Sequence, residues 1–124
     1  MVELKNVISK KEAKDLANHH CSVWNTHIIN SIMDLYDDNV ELFSPLAERI
    51  TGKFNIKGKD NVQQYFLTGI NKYPDLQFKL INVFVCLDTI VLHMEGAGKA
   101  RLAEVLFLND ERRIKKVMAH YECE

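Results

Sequence analysis

The chain has 124 residues, which is long enough to bury a core within one domain without disulfide or metal cross-links. Charged residues make up 27% and hydrophobic residues 47%, proportions that exclude a disordered chain and fit an ordinary globular domain. The formal net charge of −1 leaves no field to attract nucleic acid, which excludes a generic phosphate-backbone binder. We therefore predict one domain, residues 1–124, that binds no nucleic acid.

The cysteines and the N-terminal segment bear on the compartment. Cys21, Cys86 and Cys123 are an odd number at unrelated spacings, so they form no disulfide framework or redox pair. The N-terminus lacks a long apolar run with a small-residue cleavage site, and no stretch reaches membrane-spanning length. The sequence predicts a cytoplasmic protein with reduced thiols and no membrane contact.

The N-terminal part of the chain predicts an amphipathic helix. Ser9 and Glu12 have the spacing of a capping box, in which each side chain satisfies an unpaired backbone N–H. His20 occupies one position of the apolar stripe, and His27 lies at its edge. The apolar positions that define the stripe are Ala13, Leu16, Ala17, Trp24 and Ile28.

The middle of the chain predicts a short helix, a strand, a loop and a second long helix. SIMDLY follows Asn30 as the short helix, and YDDNVELFSP is a strand-like stretch that ends at Pro45. Residues 46–58 contain two glycines and few consecutive apolar residues, so we interpret them as a loop or short strand and a candidate lid. Apolar residues at helical spacing then follow Lys59 until Pro74 ends the helix.

The remaining sequence predicts four strands. LQFKLINVFVC, TIVLHMEG, KARLAEVLFLN and RIKKVMAHYEC are rich in apolar residues and are separated by turn signals at 87–88, 96–98 and 109–111. Helices followed by long antiparallel strands indicate an α+β domain whose helices cover one face of a curved sheet.

Glu104 is the sharpest indication of a functional site. It shares one face of its strand with Leu102 and Leu106, so a carboxylate interrupts an apolar row. An ionised carboxylate is costly there unless it is paired, so Glu104 either takes a raised pKa or meets a cation. His20 is the candidate partner: it either bonds within a closed core or faces Glu104 across a pocket.

Alternation along the neighbouring strands assigns further side chains to the two faces of the sheet. Met94 points inward with its apolar neighbours, whereas His93 and Glu95 lie on the outer face. In the last strand Tyr121 points inward, near the pocket, and His120 points outward. The outer face then becomes a candidate dimer interface.

Metal and nucleotide sites find no support in the sequence. His20 and His27 are separated by about 10 Å along a helix axis, whereas a zinc ion binds its ligand nitrogens at about 2.1 Å. His19 points to a different helix face. The sequence has no glycine-rich nucleotide motif and no hydrolase nucleophile motif. We expect no metal and no cofactor.

The order of these segments resembles the nuclear transport factor 2-like superfamily, in its SnoaL-like branch. The resemblance covers residues 12–122 and is carried by a tryptophan-bearing first helix, LYDDNVELFSP, GKDNVQQYF, KYPDLQF, EGAG, EVLFLNDERRIKK and AHYE. It implies a cone-shaped α+β barrel in which a bent antiparallel sheet wraps the helices around a deep apolar pocket, usually in a homodimer. Members include ketosteroid isomerases, dehydratases, polyketide cyclases and proteins without known activity, so the resemblance leaves the reaction open.

Similarity to the ketosteroid isomerase pattern implies roles for three residues. His20 falls at the position of the oxyanion-hole tyrosine, and Glu104 at that of the carboxylic acid kept protonated by an apolar site. The general-base aspartate falls on Ser44. A hydroxyl without a partner base does not abstract a proton from carbon at neutral pH, which argues against steroid isomerisation by that route.

The first hypothesis is a pocket that binds a small hydrophobic or partly polar molecule and performs isomerase, dehydratase or cyclase chemistry. In it His20 transfers a proton, Glu104 orients His20 or stabilises charge, and Tyr121 or Tyr65 adds a hydrogen bond. The predicted pocket wall comprises Trp24, Phe43, Ser44, Tyr65, Phe66, Phe78, Met94, Leu102 and Leu106.

The alternative hypothesis is a non-catalytic homodimeric module that works through the outer sheet face. Loss of the expected base at Ser44 favours it, because the best-understood reaction of the superfamily is then removed. The residues that it places on the working surface are His93, Glu95, Phe107 and Met118.

Overall fold

The computed structural model describes residues 7–123 of the chain. Its helices are α1 (Lys10–Asn25), α2 (Ile29–Met33), α3 (Pro45–Thr51) and α4 (Lys59–Lys72). Its strands are β1 (Tyr36–Phe43), β2 (Asn55–Lys57), β3 (Lys79–Cys86), β4 (Thr89–Glu95), β5 (Arg101–Leu108) and β6 (Ile114–Tyr121). A 3₁₀ turn, Ala97–Lys99, joins β4 to β5.

The described strands form one curved, open sheet in the order β2-β1-β6-β5-β4-β3. Strands β1 and β6 run parallel, and the other neighbours are antiparallel. The register shifts in three strand pairs, and such irregularities bend a sheet. Helix α1 packs against β3 and helix α4 against β1, so the helices cover one face. The predicted α+β class is confirmed.

Helix α1 begins where the capping signal placed its start. The Ser9 hydroxyl accepts a hydrogen bond from the Glu12 backbone N–H at 3.0 Å. The Glu12 carboxylate does not complete the box: it accepts from the Arg112 guanidinium at 2.8 Å. The ion pair thereby ties the start of α1 to the turn between β5 and β6.

Helix α1 ends earlier than its apolar stripe suggested. The Thr26 hydroxyl donates to the Val23 carbonyl at 2.6 Å and caps the last turn. His27 then adopts a left-handed backbone conformation with φ of 59°. Ile28 is 56% exposed, so the prediction that the helical stripe continues to His27 and Ile28 is wrong. A local cap ends the helix although the periodic pattern continues.

Residues 46–58 are more ordered than the predicted loop. Ser44 is the N-cap of α3, Pro45 is its first residue, and Gly52 ends it with φ of 80°. The predicted short strand within this segment is β2, which pairs with β1. The loop prediction is wrong for α3 because these capping signals outweigh the low density of apolar residues.

The core lies between α1 and the concave face of the sheet. The Trp24 ring packs edge-on against Phe66 and Phe78, with ring centroids 4.7 Å and 5.6 Å away. The Trp24 indole N–H donates to the Tyr36 hydroxyl at 3.1 Å. The inward-facing residues of β4 and β5 are buried as predicted: Ile90, Leu92, Met94, Leu102 and Leu106.

Leu92→Ala tests this assignment of strand faces. Leu92 is 0% exposed, so its truncation should leave a cavity and lower the free energy of unfolding by about 2–5 kcal/mol. Phe54, which is 66% exposed, serves as the control, and Phe54→Ala should change that energy by less than about 0.5 kcal/mol. Urea denaturation measures both variants, and equal losses would contradict the proposed core.

Candidate functional site

An open cavity of about 320 Å³ lies between the concave face of the sheet and helices α3 and α4. Most of its wall is apolar, and the polar side chains that reach it are few, which is the usual composition of a ligand pocket. The polar side chains of its inner walls include Glu104, Ser44, Tyr65 and Tyr121. Its main apolar walls are Trp24, Leu42, Phe66, Ile70, Phe78 and Leu102.

Three residues predicted to line the pocket lie elsewhere. Leu42 faces the cavity, so the next residue of β1, Phe43, faces the other side of the sheet, where the Lys116 ammonium lies 5.3 Å from its ring centroid. Met94 is buried beneath α1, with its sulfur 3.6 Å from the Cys21 sulfur. Leu106 lies farther along β5, beyond the cavity floor, and lines a second hollow.

The structure brings Glu104 and His20 together. The Nε2 atom of His20 lies 3.6 Å from Oε1 of Glu104, a distance that permits an ion pair when the imidazole is protonated. The side chains are 3% and 16% exposed, respectively. At 3.6 Å the contact is too long for a hydrogen bond, so a small movement of either side chain would be needed to form one.

His20 stands behind Glu104 instead of beside it. Glu104 lines the cavity, whereas His20 lines a second hollow of about 200 Å³ on the far side. Neither ring nitrogen of His20 has a hydrogen-bond partner among residues 7–123. A buried polar group without a partner costs about 1–3 kcal/mol.

Three phenols lie around the Glu104 carboxylate: Tyr36 is buried, Tyr65 is half-buried and Tyr121 is 37% exposed. Burial, and next the negative charge of Glu104, raise the pKa of Tyr36 and Tyr121 well above the usual phenol range. The same two causes raise the pKa of Tyr65. All three hydroxyls therefore stay protonated at neutral pH. We call Glu104, His20, Tyr36, Tyr65 and Tyr121 the Glu104 cluster.

Ser44 has a structural role in addition to its place in the cavity wall. It is 4% exposed, and its hydroxyl accepts a hydrogen bond from the Leu46 backbone N–H at 3.1 Å. No basic side chain is hydrogen-bonded to this hydroxyl among residues 7–123. This position therefore caps helix α3 and does not present an activated base.

The sequence reasoning missed the residues at the cavity mouth and one buried phenol. Arg49 and Ile50 line the cavity from α3, and Lys72 and Tyr73 line it from the end of α4. The capping residues of 44–52 could have predicted Arg49 and Ile50, because they indicate a helix, and a helix has one face that can turn toward the cavity. Tyr36 gave no local signal, because its partner Trp24 lies on another element.

Neither a metal cluster nor a membrane span is found in the described part of the chain. No group of three or more His, Cys, Asp or Glu side chains among residues 7–123 is placed to hold a metal ion. Over the same residues, no helix has the length and apolar character needed to cross a membrane.

Comparison with solved structures identifies the fold. A SnoaL-like protein of unknown function from Burkholderia thailandensis has 28% identity and a TM-score of 0.90, with 94% of this chain and 99% of that chain covered. An NTF2-like protein from Burkholderia xenovorans has 13% identity and a TM-score of 0.73, with 93% and 86% covered. The epoxide hydrolase/cyclase-like enzyme SalBIII has 12% identity and a TM-score of 0.72, with 92% and 91% covered.

These similarities define a domain of the cone-shaped, nuclear transport factor 2-like class. A family model described as the SnoaL-like domain matches residues 17–124. The chain belongs to the SnoaL-like domain family, so the resemblance stated from the sequence is confirmed. No curated protein matches the chain.

The thiol beside the Glu104 cluster offers a direct test of its electrostatics. Burial, and next the charge of Glu104, raise the pKa of Cys21 to about 11, whereas Cys86 and Cys123 are exposed. At about pH 8 the Cys21 thiol should stay protonated and unreactive because only thiolates attack. Ellman's reagent should titrate two thiols in the native protein and the third only in denaturant. Rapid reaction of all three would contradict this burial.

Proposed function

We propose that this domain binds a small, partly hydrophobic molecule and performs acid–base chemistry on it, of the isomerase, dehydratase or cyclase kind. The observation that carries the proposal is the Glu104 carboxylate, 16% exposed, in the wall of an otherwise mostly apolar cavity. A carboxylate in such a setting is a common general acid or base. The membership of the family and the likeness to SalBIII, an epoxide hydrolase/cyclase-like enzyme, support a reaction of this class.

Glu104 is the group that meets the ligand. It lines the cavity and His20 does not, so the roles first assigned to the two residues are exchanged. The Glu104 carboxylate accepts a proton from the substrate, and the resulting carboxylic acid returns it to another atom. The hydroxyls of Tyr65 and Tyr121 reach the same cavity and donate hydrogen bonds to the substrate oxygen that gains charge.

His20 acts as a positioning residue. Its Nε2 atom lies 3.6 Å from Oε1 of Glu104, on the side of the carboxylate away from the cavity. His20 therefore acts on the substrate through Glu104, by holding the carboxylate in its place in the cavity wall.

Proton transfer at carbon tests the proposal. Small ketones, namely 3-cyclohexen-1-one, 4-phenyl-2-butanone and 4-oxo-4-phenylbutanoate, should exchange the hydrogens next to the carbonyl for deuterium in D₂O faster with the protein than without it. Proton NMR measures the rate. Glu104→Gln should lower the catalysed rate by about 10²–10⁴-fold, because the amide cannot accept the proton.

The matched control is Glu95→Gln, which removes one carboxylate from the outer face of β4 and should leave the rate unchanged. His20→Gln should keep part of the rate, because His20 does not line the cavity and acts through Glu104. The proposed chemistry is wrong if no ketone exchanges or if Glu104→Gln matches the wild type.

We also propose that the outer face of the sheet pairs two copies of the chain. Register partners form an apolar row across five strands, which we call the outer belt: Phe84, Val91, Val105, Met118 and Phe43. Phe84 at one end is 58% exposed. A continuous apolar surface of this kind usually marks an interface, and a two-fold axis lets the same belt meet itself.

Val105→Lys should break the proposed dimer, because it puts an unpaired charge at the centre of the outer belt. Size-exclusion chromatography with light scattering should give a dimer mass for the wild type and a monomer mass for the variant. Thr68→Lys, on the exposed side of α4, is the matched control and should leave the dimer intact. A monomeric wild type would contradict this assembly.

A further inference from the structure

Two cations stand at the mouth of the cavity. Arg49 on α3 and Lys72 at the end of α4 both line it and are both solvent-exposed. Their neighbours Ile50 and Tyr73 line it as well and are each 42% exposed. Because the other walls of the cavity include buried side chains, these exposed residues mark its open end.

Neither cation is neutralised by a carboxylate in the described part of the chain. No Asp or Glu oxygen among residues 7–123 lies within 4.0 Å of the Arg49 guanidinium or the Lys72 ammonium. The Lys72 ammonium lies 5.5 Å from the centroid of the Tyr73 ring, at the rim of the cavity. Asp75 and Glu95 line an adjoining surface hollow and do not line the cavity itself.

The charges of the cavity are therefore separated along its depth. Glu104 is the carboxylate among its described lining residues, and it lies at the inner end with 16% of its side chain exposed. Between it and the two cations the wall is largely apolar. An exposed cation is ordinarily a solvated surface group, but here two of them frame one end of an apolar cavity that has a carboxylate at the other.

We propose that the natural ligand is an amphiphilic carboxylic acid that binds with its carboxylate at Arg49 and Lys72 and its apolar body toward Glu104. This inference rests on one part of the proposed function, namely that the cavity binds the ligand. The arginine fork and the lysine ammonium both suit a carboxylate. The negative charge of Glu104 disfavours the reverse orientation, so the charges at the two ends fix which part of the ligand reaches the Glu104 cluster.

The size of the cavity limits the body of the acid. A volume of about 320 Å³ lies at the lower end of the range for ligand pockets, which favours a single ring system or a short acyl chain. Aromatic side chains Trp24, Phe66 and Phe78 form part of the wall, so an aromatic or alicyclic body has rings to pack against.

Binding of paired acids and amides tests the inference. The probes are 3-phenylpropanoate, 4-phenylbutanoate, 4-oxo-4-phenylbutanoate and octanoate, each compared with its primary amide by isothermal titration calorimetry at low salt. At least one acid should bind about tenfold more tightly than its amide, and this preference should fall with added salt because the mouth is exposed.

Variants then test which residues cause the preference for the acid over its amide. The double variant Arg49→Gln/Lys72→Gln should bring the affinities of the acid and its amide to within about twofold, without weakening the amide. Lys14→Gln/Lys79→Gln removes the same number of positive charges outside the cavity and should keep the preference.

The outcomes distinguish the two proposals. Equal binding of every acid and its amide overturns the carboxylate inference and leaves the cavity as a ligand site. Preference for the acid that survives Arg49→Gln/Lys72→Gln overturns it too, because the anion then binds elsewhere. Failure of both acids and amides to bind overturns the inference together with the ligand-binding function on which it rests.

Discussion

A carboxylate held against the apolar concave face of a sheet must be compensated, and the His20 imidazole lies 3.6 Å from Glu104. Burial, and after it the charge of Glu104, raise the pKa of Tyr36, Tyr65 and Tyr121, so the phenols around the carboxylate stay protonated. Burying a carboxylate lowers stability unless its partners are well placed.

The rest of the fold serves to hold this arrangement open on one side. The Trp24 indole N–H fixes the Tyr36 hydroxyl, and the edge-on packing of Trp24 with Phe66 and Phe78 builds the inner wall. Helices α3 and α4 provide the mouth, and α3 exists because Ser44 caps its first turn. The same sheet that turns Glu104 inward turns the outer belt outward, since successive side chains of a strand point to opposite faces.

Local periodicity predicted the parts of the structure that depend on neighbouring residues. Alternation in β4, β5 and β6 gave the correct facing of Met94, Glu104 and Tyr121, and helical spacing placed His20 on the buried side of α1. The errors arose where a cap competes with a pattern, as at the end of α1 and in α3, or where a strand's facing had no clear alternation, as at Phe43. Local periodicity could not predict that Glu104 lines the cavity while His20 lies behind it, because this depends on how α1 packs over β5.

Ser44 decides how an acid–base cycle can run in this cavity. Serine and aspartate are both good N-caps, so an aspartate at this position would begin α3 equally well. The fold therefore needs an N-cap here but not serine in particular, so the choice of serine over aspartate bears on the chemistry. The Ser44 hydroxyl accepts a hydrogen bond from the Leu46 backbone N–H and is not a base. Among the described residues that line the cavity, Glu104 is the one carboxylate that can contact a ligand. In the acid–base chemistry that we propose, a proton that leaves a substrate carbon and returns to a different atom therefore passes through Glu104 both times, while the phenols of Tyr65 and Tyr121 stabilise the charge that develops in between.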